Sequence, residues 1–256
     1  MRIGVLFALL ALAAGCGSSK QVAPLKVTTF TLQSKLMGRP MYELLVTPPG
    51  GGAGRPLLVF LHGYGAGPSD TMDATFETAL RKLGDRAPVV FLPEGDDGWW
   101  HDHAAEPWGT YVLREGIPAA LKRSGADPKR VAIGGISMGG FGALDLGRLY
   151  PTRFCAVGGH SPAIFASDPG FFDGEADFRR NDLLRIARGH SPYRAPVWID
   201  VGMQDLLRPA ASSLARELRA DGAKVSFHVW PGEHNGRYWD AHFAQYLDFY
   251  AKACAA

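Results

Sequence analysis

Three side chains in this sequence have the types and the order for acyl transfer. Ser137 stands in Gly135-Ile136-Ser137-Met138-Gly139, a G-x-S-x-G pattern between the apolar run "VAIGGI" and the helical stretch "MGGFGALDLGRLYP". A serine in that pattern sits on a turn so sharp that side chains two residues before and after it would strike backbone, and glycine has none. The turn exposes Oγ at a helix N-terminus, where the helix dipole favours developing negative charge. A serine hydroxyl is a weak nucleophile and needs a base. Histidine can take its proton and return it to the leaving group. Among eight histidines, His234 in "PGEHNGRYW" lies in the loop after the last apolar strand, whereas His228 alternates within that strand and His242 falls on the last helix. Asp205 lies just beyond the strand "VWIDVG" and is placed to orient the imidazole; Asp200, within the strand, reads as a buried structural carboxylate that accepts backbone hydrogen bonds.

These residues need a frame that delivers them to one place. After a polar tether, "KVTTFTLQS" and "RPMYELLVTPP" read as an antiparallel edge. Apolar runs then alternate with helical stretches: "PLLVFLHG", "APVVFLPEG", "KRVAIGGIS", "RFCAVGGHSP", "APVWIDVG" and "KVSFHVW" are strands. Several are continuously apolar, as strands buried on both faces of a parallel sheet must be. Strand–helix alternation implies an α/β fold with a mostly parallel, doubly wound sheet. The stretch "WGTYVLREGIPAALKRSG" reads as a helix interrupted at Pro118, and "SDTMDATFETALRKLG" as a helix with a Ser/Asp start. Ligands of such sheets gather at the carboxyl ends of the strands. Standing there are His62-Gly63-Tyr64-Gly65, Ser137, Asp205 and His234.

The chain order Ser, Asp, His is that of the α/β-hydrolase fold. With "LHGYG", "GGISMGGFGAL", "IDVGMQD" and "PGEHNGRYW", the sequence resembles the esterase branch of that fold, which includes esterase D-type, feruloyl and related carbohydrate esterases. The Asp-x-Gly-x-x-Asp spacing from Asp200 to Asp205 is similar to the esterase D-type pattern, whose second aspartate is the triad acid. The resemblance covers most of residues 27 to 254. It implies a serine carboxylesterase that works through a Ser-His-Asp triad and an acyl-enzyme, on a small-molecule or glycan ester such as a feruloyl or acetyl ester. It also implies an oxyanion hole made of the backbone N–H groups of Met138 and Tyr64, and no cofactor. An acyltransferase, a serine peptidase or a non-catalytic surface binding protein on the same fold are the alternatives.

Other residues carry weaker signals. His62, Trp99, Trp100 and His160 are candidates for substrate contact, with Trp108 a further aromatic in "GWWHDHAAEPW". His101 and His103 form only an H-x-H pair, so no metal site is expected. The stretch "FASDPGFFDGEADFRRNDLL" reads as a small cap insertion, with Phe171 and Phe172 either touching substrate or anchoring the loop.

A formal net charge of +2 without a basic stripe leaves no electrostatic footprint for nucleic acid. The N-terminus begins with Arg2 and an apolar run from Ile3 to Ala14, too short to span a bilayer, which needs roughly 20 residues. It reads as a signal peptide, and its end, "LAAGC", resembles a bacterial lipobox with Cys16 as the lipidated residue. The expected organisation is a lipoprotein-type signal peptide over 1–15, a tether over 16–26 and a catalytic domain over 27–256. The expected location is outside the cytoplasm, on a cell or outer membrane through the lipid anchor. Of the other cysteines, Cys155 reads as a small buried hydrophobe and Cys254 as part of a frayed tail, unpaired; pairing in an exported protein is the alternative.

Overall fold

A computed structural model describes residues 24–255. The expected signal peptide, Cys16 and most of the expected tether lie outside the described residues.

The apolar runs form one eight-stranded sheet in the order β1-β2-β4-β3-β5-β6-β7-β8. The first two strands are β1 (Lys26–Gln33) and β2 (Pro40–Thr47), followed by β3 (Leu57–Leu61) and β4 (Val89–Leu92). The remainder are β5 (Val131–Ile136), β6 (Ala156–His160), β7 (Val197–Gly202) and β8 (Val225–Trp230). β1 pairs antiparallel with β2 and β2 antiparallel with β4, while every pair from β4 through β8 is parallel. The antiparallel edge and the parallel body are therefore as the sequence pattern requires.

Period-two alternation divides the core into two layers. Leu57, Val59 and Leu61 of β3 belong to one cluster, and Leu58 and Phe60 to the other. The second layer is covered by α1 (Ala74–Lys82) and α8 (Gly236–Ala253), through Phe76, Phe243 and Tyr246. The first is covered by α2 (Trp108–Tyr111), α3 (Ile117–Ser124), α4 (Met138–Leu149) and α7 (Arg208–Ala220). Both faces are thus buried, which explains the continuously apolar strands.

Two helices depart from expectation in detail. α1 starts at Asp73, whose carboxylate accepts the N–H groups of Thr75 and Phe76, so the preceding Ser69–Met72 stretch stays outside the helix. Pro118 does not break its helix. Residues 112–116 widen into a π-turn between α2 and α3, and Pro118 then occupies the first turn of α3. A π-turn supplies the register shift that a missing N–H would otherwise force as a kink.

Cys155 and Cys254 form a disulfide between residues 99 apart, with Cα atoms separated by 5.3 Å. This corrects the unpaired reading. Cys254 is buried at the end of α8 rather than frayed. The cause is long-range: α8 lies along the sheet and ends beside the start of β6, a juxtaposition that sequence spacing does not encode.

The insertion holds α5 (Glu175–Asn181) and α6 (Leu183–Ile186). It packs on the tryptophan loop, with the Phe171 ring stacked on Trp99 at 3.7 Å between centroids.

Candidate active site

The site grows from the turn between β5 and α4. Ser137 has φ 55° and ψ −113°, a conformation that L side chains rarely adopt. Backbone bonds on both sides hold it there. Its N–H donates to His160 O at 3.0 Å, and its carbonyl accepts from Ala163 and Phe141 at 3.0 Å each. The glycines follow from close approach. A Cβ at Gly139 would lie 2.1 Å from Leu61 O, and one at Gly135 would lie 2.5 Å from the Gly139 carbonyl carbon. Further from the serine, Gly134 and Gly158 leave space for one atom: a Cβ at either would stand 1.8 or 1.9 Å from the Tyr250 hydroxyl. Gly142 accommodates Trp100, and Gly140 approaches both Pro162 and the Gly135 carbonyl of β5.

The loops after β7 and β8 bring the other two residues to the serine. His234 Nε2 lies 2.8 Å from Ser137 Oγ, and its Nδ1 lies 2.8 Å from Asp205 Oδ2. A carboxylate oxygen only accepts, so Nδ1–H donates and Nε2 faces the hydroxyl. Asp205 Oδ1 accepts the Leu207 N–H at 2.8 Å. Burial works to raise the Asp205 carboxyl, yet the hydrogen bonds from His234 and Leu207 outweigh it and hold the group below the usual carboxylate range. Asn235 caps α8 by accepting the Tyr238 N–H, which fixes where the His234 loop ends.

A cavity of about 440 Å³ opens over Ser137 and His234, walled by Gly63, Tyr64 and Trp239. Met138 follows Ser137 as the first residue of α4. Tyr64 is exposed, and a Cβ built on Gly63 would lie 3.6 Å from Ser137 Cβ, so the Gly63–Tyr64 backbone borders the serine. Met138 and Tyr64 therefore both stand near the serine.

The substrate-contact candidates divide. His62 lines this cavity, but its Nδ1 is engaged with Gly63 O at 2.9 Å. Trp99 keeps partial exposure and stands with its ring centroid 6.1 Å from that of Tyr64, joining the insertion to the Gly63–Tyr64 loop. Trp100 does not reach the cleft. It is fully buried, and its Nε1 donates to His62 O at 3.1 Å, because Gly142 draws it under α4. Trp108 is likewise buried. His160 does not reach the cleft either. Its ring is wholly enclosed between the Asp200 carboxylate at 2.7 Å and the Tyr250 hydroxyl at 2.9 Å. His101 bonds Asp177 at 2.8 Å and so ties the tryptophan loop to the insertion. Among the described residues no cluster of three His, Cys, Asp or Glu is arranged to hold a metal.

Asp200 is buried, as its place in the strand suggests, but its partners are side chains and not backbone. Its Oδ1 accepts from His160 Nδ1 at 2.7 Å and Trp198 Nε1 at 2.8 Å; its Oδ2 accepts from Tyr238 at 2.8 Å and Tyr246 at 2.7 Å. Burial first, and then the Asp200 charge, drive the pKa values of Tyr238 and Tyr246 upward, so both hydroxyls keep their protons and donate. A group missed by sequence reasoning is the set of carboxylates Asp70, Asp73 and Asp240 on the cavity wall. Burial, with the neighbouring Asp73, pushes Asp240 up to about 6. Their meeting depends on α1 packing on α8, and no local pattern signals it.

Comparison with known proteins adds four findings. A family model described as "Putative esterase" matches residues 34–250. An esterase of Mycobacterium tuberculosis is 29% identical over 154 residues, covering 56% of this chain, and this chain spans only 33% of that protein's length. The S-formylglutathione hydrolase of Paracoccus denitrificans is 25% identical over 264 residues, covering 86% of this chain and 91% of that one. Among solved structures, a ferulic acid esterase superposes with a TM-score of 0.79 at 21% identity, covering 90% of this chain and 98% of that chain. At that identity the likeness speaks for the fold.

Proposed function

The chain belongs to the esterase family whose model spans residues 34–250, and on that premise we propose that it is a serine carboxylesterase acting through an acyl-enzyme. The observation that carries this is His234, which touches Ser137 Oγ with one ring nitrogen and Asp205 with the other, at 2.8 Å each. In the first step Ser137 Oγ attacks the ester carbonyl as His234 Nε2 takes the hydroxyl proton. The new C–O bond places negative charge on the carbonyl oxygen, which the N–H groups of Met138 and Tyr64 receive. Asp205, kept ionised by its two hydrogen bonds, stabilises the imidazolium. Collapse of the tetrahedral intermediate breaks the bond to the alcohol, which leaves with the proton from His234. Water then repeats the sequence on the acyl-enzyme and restores Ser137.

The cavity favours an alcohol or acyl group with polar substituents, because Asp70, Asp73 and Asp240 stand on its wall beside Trp239. A sugar or feruloyl ester has that character, and the fold likeness to a ferulic acid esterase agrees with it. The reading extends to location: an exported enzyme held to a membrane by lipid on Cys16. The Cys155–Cys254 disulfide supports it, since such bonds persist in oxidising compartments.

The test is hydrolysis of short-chain p-nitrophenyl esters, with labelling by a fluorophosphonate. Ser137→Ala should abolish both; an unchanged rate in that variant overturns the proposal. A panel with peptide amides, an alcohol acceptor, and feruloyl and acetyl-sugar esters assigns the acyl group and its acceptor. Metabolic labelling with a palmitate analogue should mark the wild-type chain and not Cys16→Ser.

A further inference from the structure

His62 directly follows β3 and leads into the Gly63–Tyr64 loop, and the catalytic steps leave its side chain without a task. It is 2% exposed, too enclosed for a residue that meets substrate. Its Nδ1 lies 2.9 Å from Gly63 O. A carbonyl only accepts, so Nδ1 carries the hydrogen and donates. Burial, the largest influence on the ring, holds its pKa below the ordinary imidazole value, so at neutral pH the ring is uncharged. Nε2 is then a bare acceptor, and it is buried with no hydrogen-bond partner. The bond to Gly63 is thus the one polar contact the ring makes. Its orientation is set by Trp100, whose ring meets it edge-on at 4.9 Å between centroids while its Nε1 donates to the His62 carbonyl.

The consequence runs through one peptide plane. The Gly63 carbonyl and the Tyr64 N–H belong to the same planar trans unit and point in opposite directions. Gly63 O also accepts the Ala66 N–H at 3.3 Å, and the Gly65 N–H is held by Asp97 at 2.7 Å. Glycine on one side of the plane leaves the backbone little intrinsic preference there. The direction of the Tyr64 N–H therefore depends on what grips the oxygen.

We propose that His62 is a positioning residue, which holds the Gly63 carbonyl and so aims the Tyr64 N–H at the oxyanion that forms above Ser137. This rests on the serine-esterase reading. It assigns His62 to the transition state and not to the substrate pocket.

Two isosteres separate the roles of the ring. Asparagine carries its amide nitrogen where histidine carries Nδ1; glutamine carries its own where histidine carries Nε2. H62N keeps the donor to Gly63, whereas H62Q and H62A lose it. Each variant is assayed with p-nitrophenyl acetate, with active sites counted by fluorophosphonate labelling so that misfolded protein does not enter the rate. A trifluoromethyl ketone, which forms an oxyanion on the serine, reports the same N–H without turnover. Loss of a whole oxyanion donor lowers kcat about 10²–10³-fold. A misaimed donor in H62Q and H62A should cost about tenfold or more in kcat, with KM nearly unchanged and the ketone weakened in proportion. H62N should stay within a few-fold of wild type. Equal losses in all three variants, a change confined to KM, or unaltered ketone affinity in H62Q would overturn the assignment. Retained activity in Ser137→Ala would instead overturn the serine-esterase reading, and this inference with it. Loss there beside a wild-type H62Q overturns only the role of His62.

Discussion

Two histidine–aspartate pairs stand side by side at the carboxyl edge of this sheet, and they share one local geometry. His160 donates to Asp200 across 2.7 Å and His234 to Asp205 across 2.8 Å. Asp200 and Asp205 are five residues apart on one strand and its loop. The difference lies in the remaining ring nitrogen. In the first pair it meets the Tyr250 hydroxyl, and the whole assembly is sealed beneath α8. In the second it meets Ser137 Oγ at the floor of a cavity. A His–Asp contact is thus a support or, in the proposed mechanism, a proton path, according to what sits on its far side. The two are also joined: His160 O holds the Ser137 N–H, and Asp200 O holds that of Ser161. The sealed pair therefore braces the backbone from which the open pair works.

The sharpest separation comes from removing the two carboxylates one at a time. Asp205→Asn leaves the packing in place but lets the imidazole take the wrong tautomer. In a serine-protease triad the equivalent change costs about 10⁴ in kcat, and the same order is expected here from ester hydrolysis, with the melting temperature nearly unchanged. Asp200→Asn should do the opposite. It sets an amide against a cluster of four donors, and breaking a buried charged network typically costs about 3–5 kcal/mol. For a domain of this size that corresponds to a fall of roughly 6–20 °C in Tm, while protein that remains folded keeps most of its activity per labelled site. Matching losses in both variants would erase the distinction between the pairs.

A third buried carboxyl tests whether donors or burial set the outcome. Glu43 on β2 has one backbone donor, the Glu94 N–H at 3.0 Å, and its Oε1 is buried without a partner. Burial, with the charge of Glu94, pushes it up to about 8, whereas the well-donated Asp205 is held low. The folded state thus keeps the Glu43 proton where the unfolded chain has lost it. Stability from this group is full below about pH 4.5 and is lost as pH rises toward 8. Glu43→Gln should remove that decline, so that the variant gains on wild type by a few kcal/mol at pH 8 and shows little difference at pH 4.5 in denaturant melts. A parallel pH profile in the two proteins would refute it. The smallest effect is expected from Tyr250→Phe, which deletes one buried hydroxyl from His160 at a cost of about 1 kcal/mol, read as a small shift in Tm without change in kcat.

What the sequence disclosed follows the same division. The sheet and its parallel body were legible because apolar runs and glycine turns are local signals. Ser137, Asp205 and His234 were legible because strand ends converge in this architecture whatever the packing. His160 was misassigned for a related reason: it too follows an apolar run, and only the approach of α8, with Gly134 and Gly158 making room for Tyr250, shows that its place is sealed. Trp100 and the cysteine pair failed likewise, since each depends on a neighbour distant in sequence. The carboxylates of the cavity wall come from the approach to α1 and from α8, whose contact no spacing records.

The disulfide has a bearing on how long the site lasts. α8 begins two residues after His234 and supplies Tyr238, Tyr246 and Tyr250 to the sealed pair, and its far end is fastened to the start of β6. Closing a loop of about 100 residues removes roughly 4–5 kcal/mol of chain entropy from the unfolded ensemble in the loop-closure picture. The more immediate effect is on partial opening. A helix packed on the outside of a sheet ordinarily opens from its less anchored end, offering a protease its first cut. Here the far end of α8 is fastened, so opening must start beside His234, where Asn235 and the sealed pair resist it. The durability of the site is thereby tied to the oxidation of one bond far from the serine.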